Sequence, residues 1–237
     1  MNSTVSSSPK LGLLIQARMT SKRLPSKAFL KIGPRSILGH CCDRAWDTIS
    51  LLKAGGTEVF PQPIVATTTN FEDGPIEAWC KEEGIECYRG ADADVLTRII
   101  DCAGHFGIVH IARICGDSPF FDPQQLVSLI HLRNEEIAEL VTDDNLEVVH
   151  VAALKTVDRE IAGSPLEHLY REHVTMYMKG DRPGYRVIDV RDNIPRLTID
   201  TQEDYDEACQ SWPHNSLSLP TRRKAVSYSN GMNASST

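Results

Sequence analysis

Between residues 11 and 136, short apolar runs alternate with longer segments of helical periodicity, and this alternation restricts the possible folds more than any other feature. Leu11 to Gln16 is an apolar run rising from a polar start, with the length of a buried central strand. A loop follows through Lys31. From Ser36 to Leu52, Ile37, Leu38, Cys41, Ala45, Trp46, Ile49 and Leu52 recur at helical spacing, with Ser36 placed as N-cap and Gly55 and Gly56 as the stop. Pro63 to Thr67 predicts a second strand, Glu72 to Glu83 a helix stopped by Gly84, and Glu86 to Tyr88 a short third strand. Ala93 to Phe106 is again helical, Val109 to Ile114 a strand, and Pro123 to Glu136 a helix capped by Asp122. Strands alternating with helices in this way predict an α/β fold, a parallel sheet covered on both faces.

Beyond about residue 138 the rhythm changes. Strands are expected at Ala138 to Thr142 and Glu147 to Val151, then helices at Ala152 to Glu160 and Pro165 to Lys179. Strands at Arg186 to Val190 and Arg196 to Ile199 and a last helix at Gln202 to Trp212 complete one domain, residues 11–212. Residues 1–10 and 213–237 are polar and without periodicity, which predicts disordered tails. No stretch approaches 18 consecutive apolar residues, and the first ten residues lack the basic and apolar regions of a leader, so a cytoplasmic protein without membrane contact is expected. Seven cysteines, an odd number with no C-x-x-C pair, argue against a disulfide framework or structural zinc and for buried thiols.

Charge narrows the ligand class. Residues 1–42 contain no acid but carry Lys10, Arg18, Lys22, Arg23, Lys27, Lys31 and Arg35, whereas the remaining 195 residues hold 18 basic and 32 acidic side chains. One cationic segment on an acidic body suits a compact polyanion such as a nucleoside triphosphate, and a nucleic acid would call for a wider basic surface. Pro25 and Pro34 interrupt the segment and prevent a single basic amphipathic helix.

In open parallel sheets, ligands bind beyond the carboxyl ends of the strands. The loop after the first strand, Ala17 to Lys27, carries four cations and several hydroxyls, donors able to surround phosphate oxygens or simply to face solvent. Walker A and G-x-G-x-x-G patterns are absent. The loop after the fourth strand places Gly116 and Asp117 at the strand end, where the carboxylate can hold a hard cation or cap the next turn. A second acidic group, Asp200, Glu203 and Asp204, opens the last helix, either as a metal site or as an acidic first turn favoured by the helix dipole.

Six segments occur in order: QARMTSKRLPSK, VATTTNFEDGPI, YRGADADVLTR, ARICGDSPFFDP, REHVTMY and LTIDTQEDYDEA. Together they resemble the cytidylyltransferase family of the CMP-KDO and CMP-N-acylneuraminate synthetases, closest to the spore coat polysaccharide biosynthesis type, over residues 11 to about 210. The resemblance implies a nucleotide-diphospho-sugar transferase-like, Rossmann-like three-layer sandwich with a mixed, mainly parallel sheet. It implies transfer of CMP from CTP to an anionic acceptor, with pyrophosphate released, Mg²⁺ required, and a homodimeric assembly. Arg18, Lys27 and Asp117 then become catalytic, and Ala17, Arg18, Ser21, Lys27, Asp94 and Arg98 nucleotide-binding. Asp117 and Asp200 become metal ligands, and Arg113, Glu147, Arg171 and His173 acceptor contacts.

Three departures stand beside the resemblance. Thr20 and Ser26 occupy positions where the pattern has glycine, Lys22 adds a cation, and a Pro/Gly-containing turn before Glu147 is missing. They motivate a non-catalytic nucleotide-binding or scaffold protein as an alternative. Asp92-Ala93-Asp94, a D-x-D pattern, motivates a nucleotide-sugar glycosyltransferase as another.

Overall fold

The computed structural model describes residues 11–143, 145–180, 184–190 and 197–215. Strands β1 (Leu11–Gln16), β4 (Ile64–Thr68), β5 (Glu86–Gly90), β6 (His110–Cys115), β7 (Leu140–Asp143), β8 (Leu146–His150) and β9 (Val187–Asp189) form one sheet in the order β5-β4-β1-β6-β8-β7-β9. Two-residue strands β2 (Lys31–Ile32) and β3 (Arg35–Ser36) make a separate hairpin. The helices are α1 (Ile37–Ala54), α2 (Gly74–Glu83), α3 (Val95–His105), α4 (Pro123–Glu136), α5 (Val151–Ile161), α6 (Glu167–Glu172) and α7 (Gln202–Asn215).

β1 lies between β4 and β6 and runs parallel to both, as a six-residue apolar run buried on two faces requires. β8 is antiparallel to β6 and β7, which makes the sheet mixed. Side-chain alternation divides the interior in two. Leu13 and Ile15 face α1, α2 and α4 through residues such as Leu38, Ile76 and Leu126, whereas Leu14 faces α3, α5 and α6 through Leu96, Leu154 and Tyr170. The result is the three-layer sandwich with a mixed, mainly parallel sheet.

Local signals fixed most boundaries. Ser36 Oγ accepts the Gly39 N–H at 3.1 Å at the start of α1, and Asp122 Oδ1 accepts the Gln124 N–H at 2.9 Å at the start of α4. Tertiary contacts changed others. The helix expected over 165–179 is α-helical only at Glu167–Glu172, and the chain then continues in turns that bring Thr175 and Lys179 onto Glu147. Tyr170, Val174 and Met178 are nevertheless buried at the expected spacing.

The strand expected at Arg196 to Ile199 begins outside the described residues, and residues 197–199 are not a strand. Ile199 is fully buried and its N–H donates to the Asp117 carbonyl at 2.9 Å, one bond rather than a ladder. α7 reaches Asn215, so residues 213–215 are helical where a disordered tail was expected; residues 1–10 and 216–237 lie outside the described residues. Among the described residues no helix is long and apolar enough to cross a membrane. Cys41, Cys42, Cys80 and Cys102 are buried as expected, but Cys209 is exposed.

A third, small apolar cluster positions the site. Leu24, Ile32, Ile37, Ile199 and Ala208 pack together, joining the loop after β1, the β2–β3 hairpin and α7. Tyr205 donates its hydroxyl to the Lys31 carbonyl at 2.7 Å. Trp212 lies against Gly33, whose φ of +59° and lack of a Cβ both depend on glycine. These contacts return the C-terminal segment, with Asp200, to the carboxyl end of the sheet.

Candidate functional site

The loop after β1 is knotted at Met19. Its carbonyl accepts the N–H groups of Ser21 at 2.9 Å and Ser26 at 3.1 Å, while its own N–H donates to Asp73 Oδ1 at 2.6 Å. Ser21 uses its hydroxyl to accept the Leu24 N–H at 3.4 Å. Ser26 sits in the left-handed region, φ 57° and ψ 23°, and a 3₁₀ turn from Lys27 to Phe29 follows. The unusual position flagged in the sequence is therefore one whose backbone favours glycine, adopted here by serine. Arg18 and Lys22 are exposed, and among the described residues neither has an ion-pair partner.

Lys27 is the centre of the site. Its Nζ donates to Asp117 Oδ2 at 2.8 Å, to Asp200 Oδ1 at 2.9 Å and to the Ile199 carbonyl at 2.9 Å. Arg23 adds a second cation on Asp200 Oδ2 at 2.9 Å. Burial works against the charge on Lys27, but Asp117 and Asp200 outweigh it and raise the ammonium's pKa. Gly116 allows the close approach: its N–H donates to the Gln16 carbonyl at 2.9 Å, and a Cβ there would meet that oxygen at 2.6 Å. Ala17, buried at the end of β1, donates its N–H to the Ala66 carbonyl at 3.2 Å. Three expected residues, Lys27, Asp117 and Asp200, are thus assembled from segments far apart in sequence.

A second cluster lies on the α3, α5 and α6 side of the sheet end. Glu147 on β8 is buried and pairs with Arg113 on β6; it also accepts the Thr175 hydroxyl and, at 2.8 Å, the Lys179 ammonium. Gln16 Oε1 accepts from Arg113 at 3.2 Å. Burial opposes ionisation of Glu147, yet Arg113 and Lys179 overcome it and bring the carboxyl down to about 2. One carboxylate between two cations leaves the cluster with a surplus positive charge.

The remaining expected residues take other places. Asp94 caps α3, accepting the Thr97 N–H at 2.9 Å, and binds Arg171 Nη1 at 2.7 Å. Its carboxylate is thereby engaged by the Thr97 N–H and the Arg171 guanidinium. Arg171 also pairs with Asp158 at 2.9 Å and Glu167 at 2.8 Å. Three carboxylates thus hold the guanidinium of Arg171, the residue expected to contact the acceptor. Arg98 is 1% exposed, and its Nη1 donates to the Ala91 carbonyl at 2.7 Å, fixing the loop before α3. Burial and then the neighbouring Arg18 lower its pKa, and among the described residues its Nε has no hydrogen-bond partner. His173 is exposed just past α6. Burial raises the Cys115 thiol to about 11, so this thiol near Asp117 is no ready nucleophile.

Sequence reasoning missed Asp73, Thr175, Lys179 and Gln16. Asp73 and Gln16 lie within quoted segments, but nothing in their spacing points to Met19 or Arg113. Thr175 and Lys179 fell within an expected regular helix.

With the geometry in place, comparison with known proteins gives a consistent picture. The cytidylyltransferase family model matches residues 13–223. The chain is 32% identical over 205 residues to the spore coat polysaccharide biosynthesis protein SpsF of Bacillus subtilis (strain 168), covering 81% of this chain and 82% of that protein. A cytidylyltransferase structure from Leptospira borgpetersenii superposes with a TM-score of 0.71 at 28% identity, covering 86% of this chain and 87% of the other. The fold also matches a CMP:2-keto-3-deoxy-manno-octonic acid synthetase solved with CTP, with a TM-score of 0.64 at 15% identity over 86% and 99% of the two chains.

Proposed function

The chain belongs to the cytidylyltransferase family, and we propose that it transfers CMP from CTP to an anionic acceptor: an acidic sugar, a sugar or polyol phosphate, or a phosphonate. The observation that carries this reading is the Lys27 ammonium held between Asp117 and Asp200, beside a loop with two exposed cations, Arg18 and Lys22. An acceptor oxygen attacks the α-phosphorus, the bond to the bridging oxygen breaks, and pyrophosphate departs with the electron pair. Negative charge grows on the leaving oxygens, where cations give most stabilisation.

Arg18 and Lys22 are exposed on the loop, where they can meet phosphate oxygens. Lys27 is the third donor, once drawn from its two carboxylates. The donor set of Asp117 and Asp200 suits a divalent cation such as Mg²⁺, because hard carboxylate oxygens face one point and the Lys27 ammonium already serves there as a stand-in cation. When bound, the ion would neutralise triphosphate charge and polarise the phosphoryl group. Arg98 steadies the loop that faces the nucleoside, while Arg113 and Lys179 around Glu147 present surplus positive charge to the acceptor's anion. A phosphate or phosphonate oxygen is already ionised at neutral pH and needs no dedicated base, whereas a sugar hydroxyl would lose its proton to solvent, with its pKa lowered by the bound cation.

The test is direct. The protein is incubated with each nucleoside triphosphate, Mg²⁺ and a panel of anionic and neutral acceptors, and pyrophosphate is measured. CTP with an anionic acceptor is expected to release it. Binding of CTP without turnover across the panel would favour the non-catalytic reading that Thr20 and Ser26 suggested.

A further inference from the structure

Asp73 is fully buried where the 3₁₀ turn Phe71–Asp73 meets α2, and among the described residues it forms no salt bridge. Its carboxylate is satisfied by two donors. Oδ1 accepts the Met19 N–H at 2.6 Å across 54 residues, and Oδ2 accepts the Thr68 hydroxyl at the end of β4. Thr68 Oγ1 in turn accepts the Asn70 N–H at 3.1 Å, so the carboxylate hangs from the rigid end of a central strand. Met19 is the residue whose carbonyl closes the turns at Ser21 and Ser26. A fully buried carboxyl group must find hydrogen-bond partners, and the one that reaches across the chain is the Met19 peptide.

The peptide it holds lies next to Arg18 and sets the path of the loop to Lys22 and Lys27. We propose that Asp73 is a positioning residue for the triphosphate: through Met19 it fixes the curvature of the loop whose cations meet the phosphates. It does not itself touch the nucleotide. The proposal rests on the nucleotidyltransferase reading and adds a residue outside the phosphate loop.

The experiment measures dissociation constants of CTP and CMP by calorimetry, with melting temperature as a control. Asp73→Ala should weaken CTP by about 10- to 100-fold, because the loop loses the buried acceptor of the Met19 N–H, and CMP by less than about threefold. Asp73→Asn should restore most of the CTP affinity, because its amide oxygen accepts from Met19 and its amide nitrogen can donate to Thr68 Oγ1. A merely structural residue would lower the melting temperature without changing the ratio of CTP to CMP affinity. Equal losses for both ligands in Asp73→Ala, or an Asn variant as weak as the Ala variant, would overturn the proposal. Should Asp73→Ala fail to fold, Thr68→Val removes only one anchor of the carboxylate and should narrow the CTP preference by about threefold; an unchanged preference there also overturns it. Wild-type protein that binds no CTP would instead overturn the reading beneath.

Discussion

The Nζ of Lys27 lies 2.8 Å from Asp117 Oδ2, although 90 residues separate them, and the same nitrogen reaches Asp200 Oδ1 at 2.9 Å. An ammonium ion thus fills the space between two carboxylates that are brought together by the end of β6 and the entry to α7. On the proposed function, a divalent cation would compete with Lys27 for that space, and a triphosphate would compete with the carboxylates for Lys27.

Lys27→Met is accordingly expected to have opposite effects on two ligands. Without nucleotide, Mn²⁺ should bind about tenfold more tightly, because the internal cation no longer opposes it. CTP should bind about 10- to 100-fold more weakly while CMP changes little, since the lost contact is to the outer phosphates. Manganese titration followed by electron spin resonance, with calorimetry for the nucleotides, measures both. Equal losses for CTP and CMP, or unchanged Mn²⁺ affinity, would contradict this arrangement.

Much of this fold was readable locally. β1, the Ser36 cap and α4 followed from a solid apolar run, a hydroxyl at the right place and an Asp-Pro start. The antiparallel insertion of β8 was not readable from the residues alone, because an apolar strand carries no mark of its neighbour's direction. The turns after α6 depend on Glu147 attracting Thr175 and Lys179 across about thirty residues. The identities of Lys27, Asp117 and Asp200 were legible through a resemblance, but their mutual pairing required α7 and the β2–β3 hairpin to pack together.

Glu147 gives a pH prediction with a definite sign. Its carboxyl lies near 2 in the folded protein, below the usual 4.5, so its stabilising contribution is complete above 4.5 and is lost as pH falls through about 2. Glu147→Gln leaves Arg113 and Lys179 uncompensated and should cost about 3 to 5 kcal/mol at pH 7. Urea unfolding of both proteins should show that difference shrinking between pH 4.5 and 2. A difference independent of pH would mean that the pair contributes through packing alone.

Ser26→Gly should stabilise the protein. Serine pays for a φ of 57° that glycine adopts freely, and the relief exceeds the added freedom of the unfolded chain by about 0.5 to 1 kcal/mol. Thermal unfolding should shift upward by roughly 1 to 3 °C. A lower melting temperature would show that the Ser26 side chain contributes more than its backbone costs.

Arg171→Ala exposes Asp94, Asp158 and Glu167 to one another and should destabilise the junction of α3, α5 and α6. The loss should be about 1 to 2 kcal/mol, modest because the cluster is partly solvated. Acceptor KM should remain within about twofold of wild type, as expected of a residue that binds no acceptor. A large rise in acceptor KM with unchanged stability would return Arg171 to the acceptor site.

Asp117 and Asp200, bridged here by Lys27, are proposed as the cation site of CMP transfer. Pyrophosphate release from Asp117→Asn at saturating CTP and limiting Mg²⁺, with the melting temperature measured in parallel, tests that assignment. The substitution preserves volume and removes one charge, and turnover should fall by about 10³-fold while the melting temperature changes little. Turnover equal to that of the wild type under those conditions would contradict the account and remove Asp117 from the site.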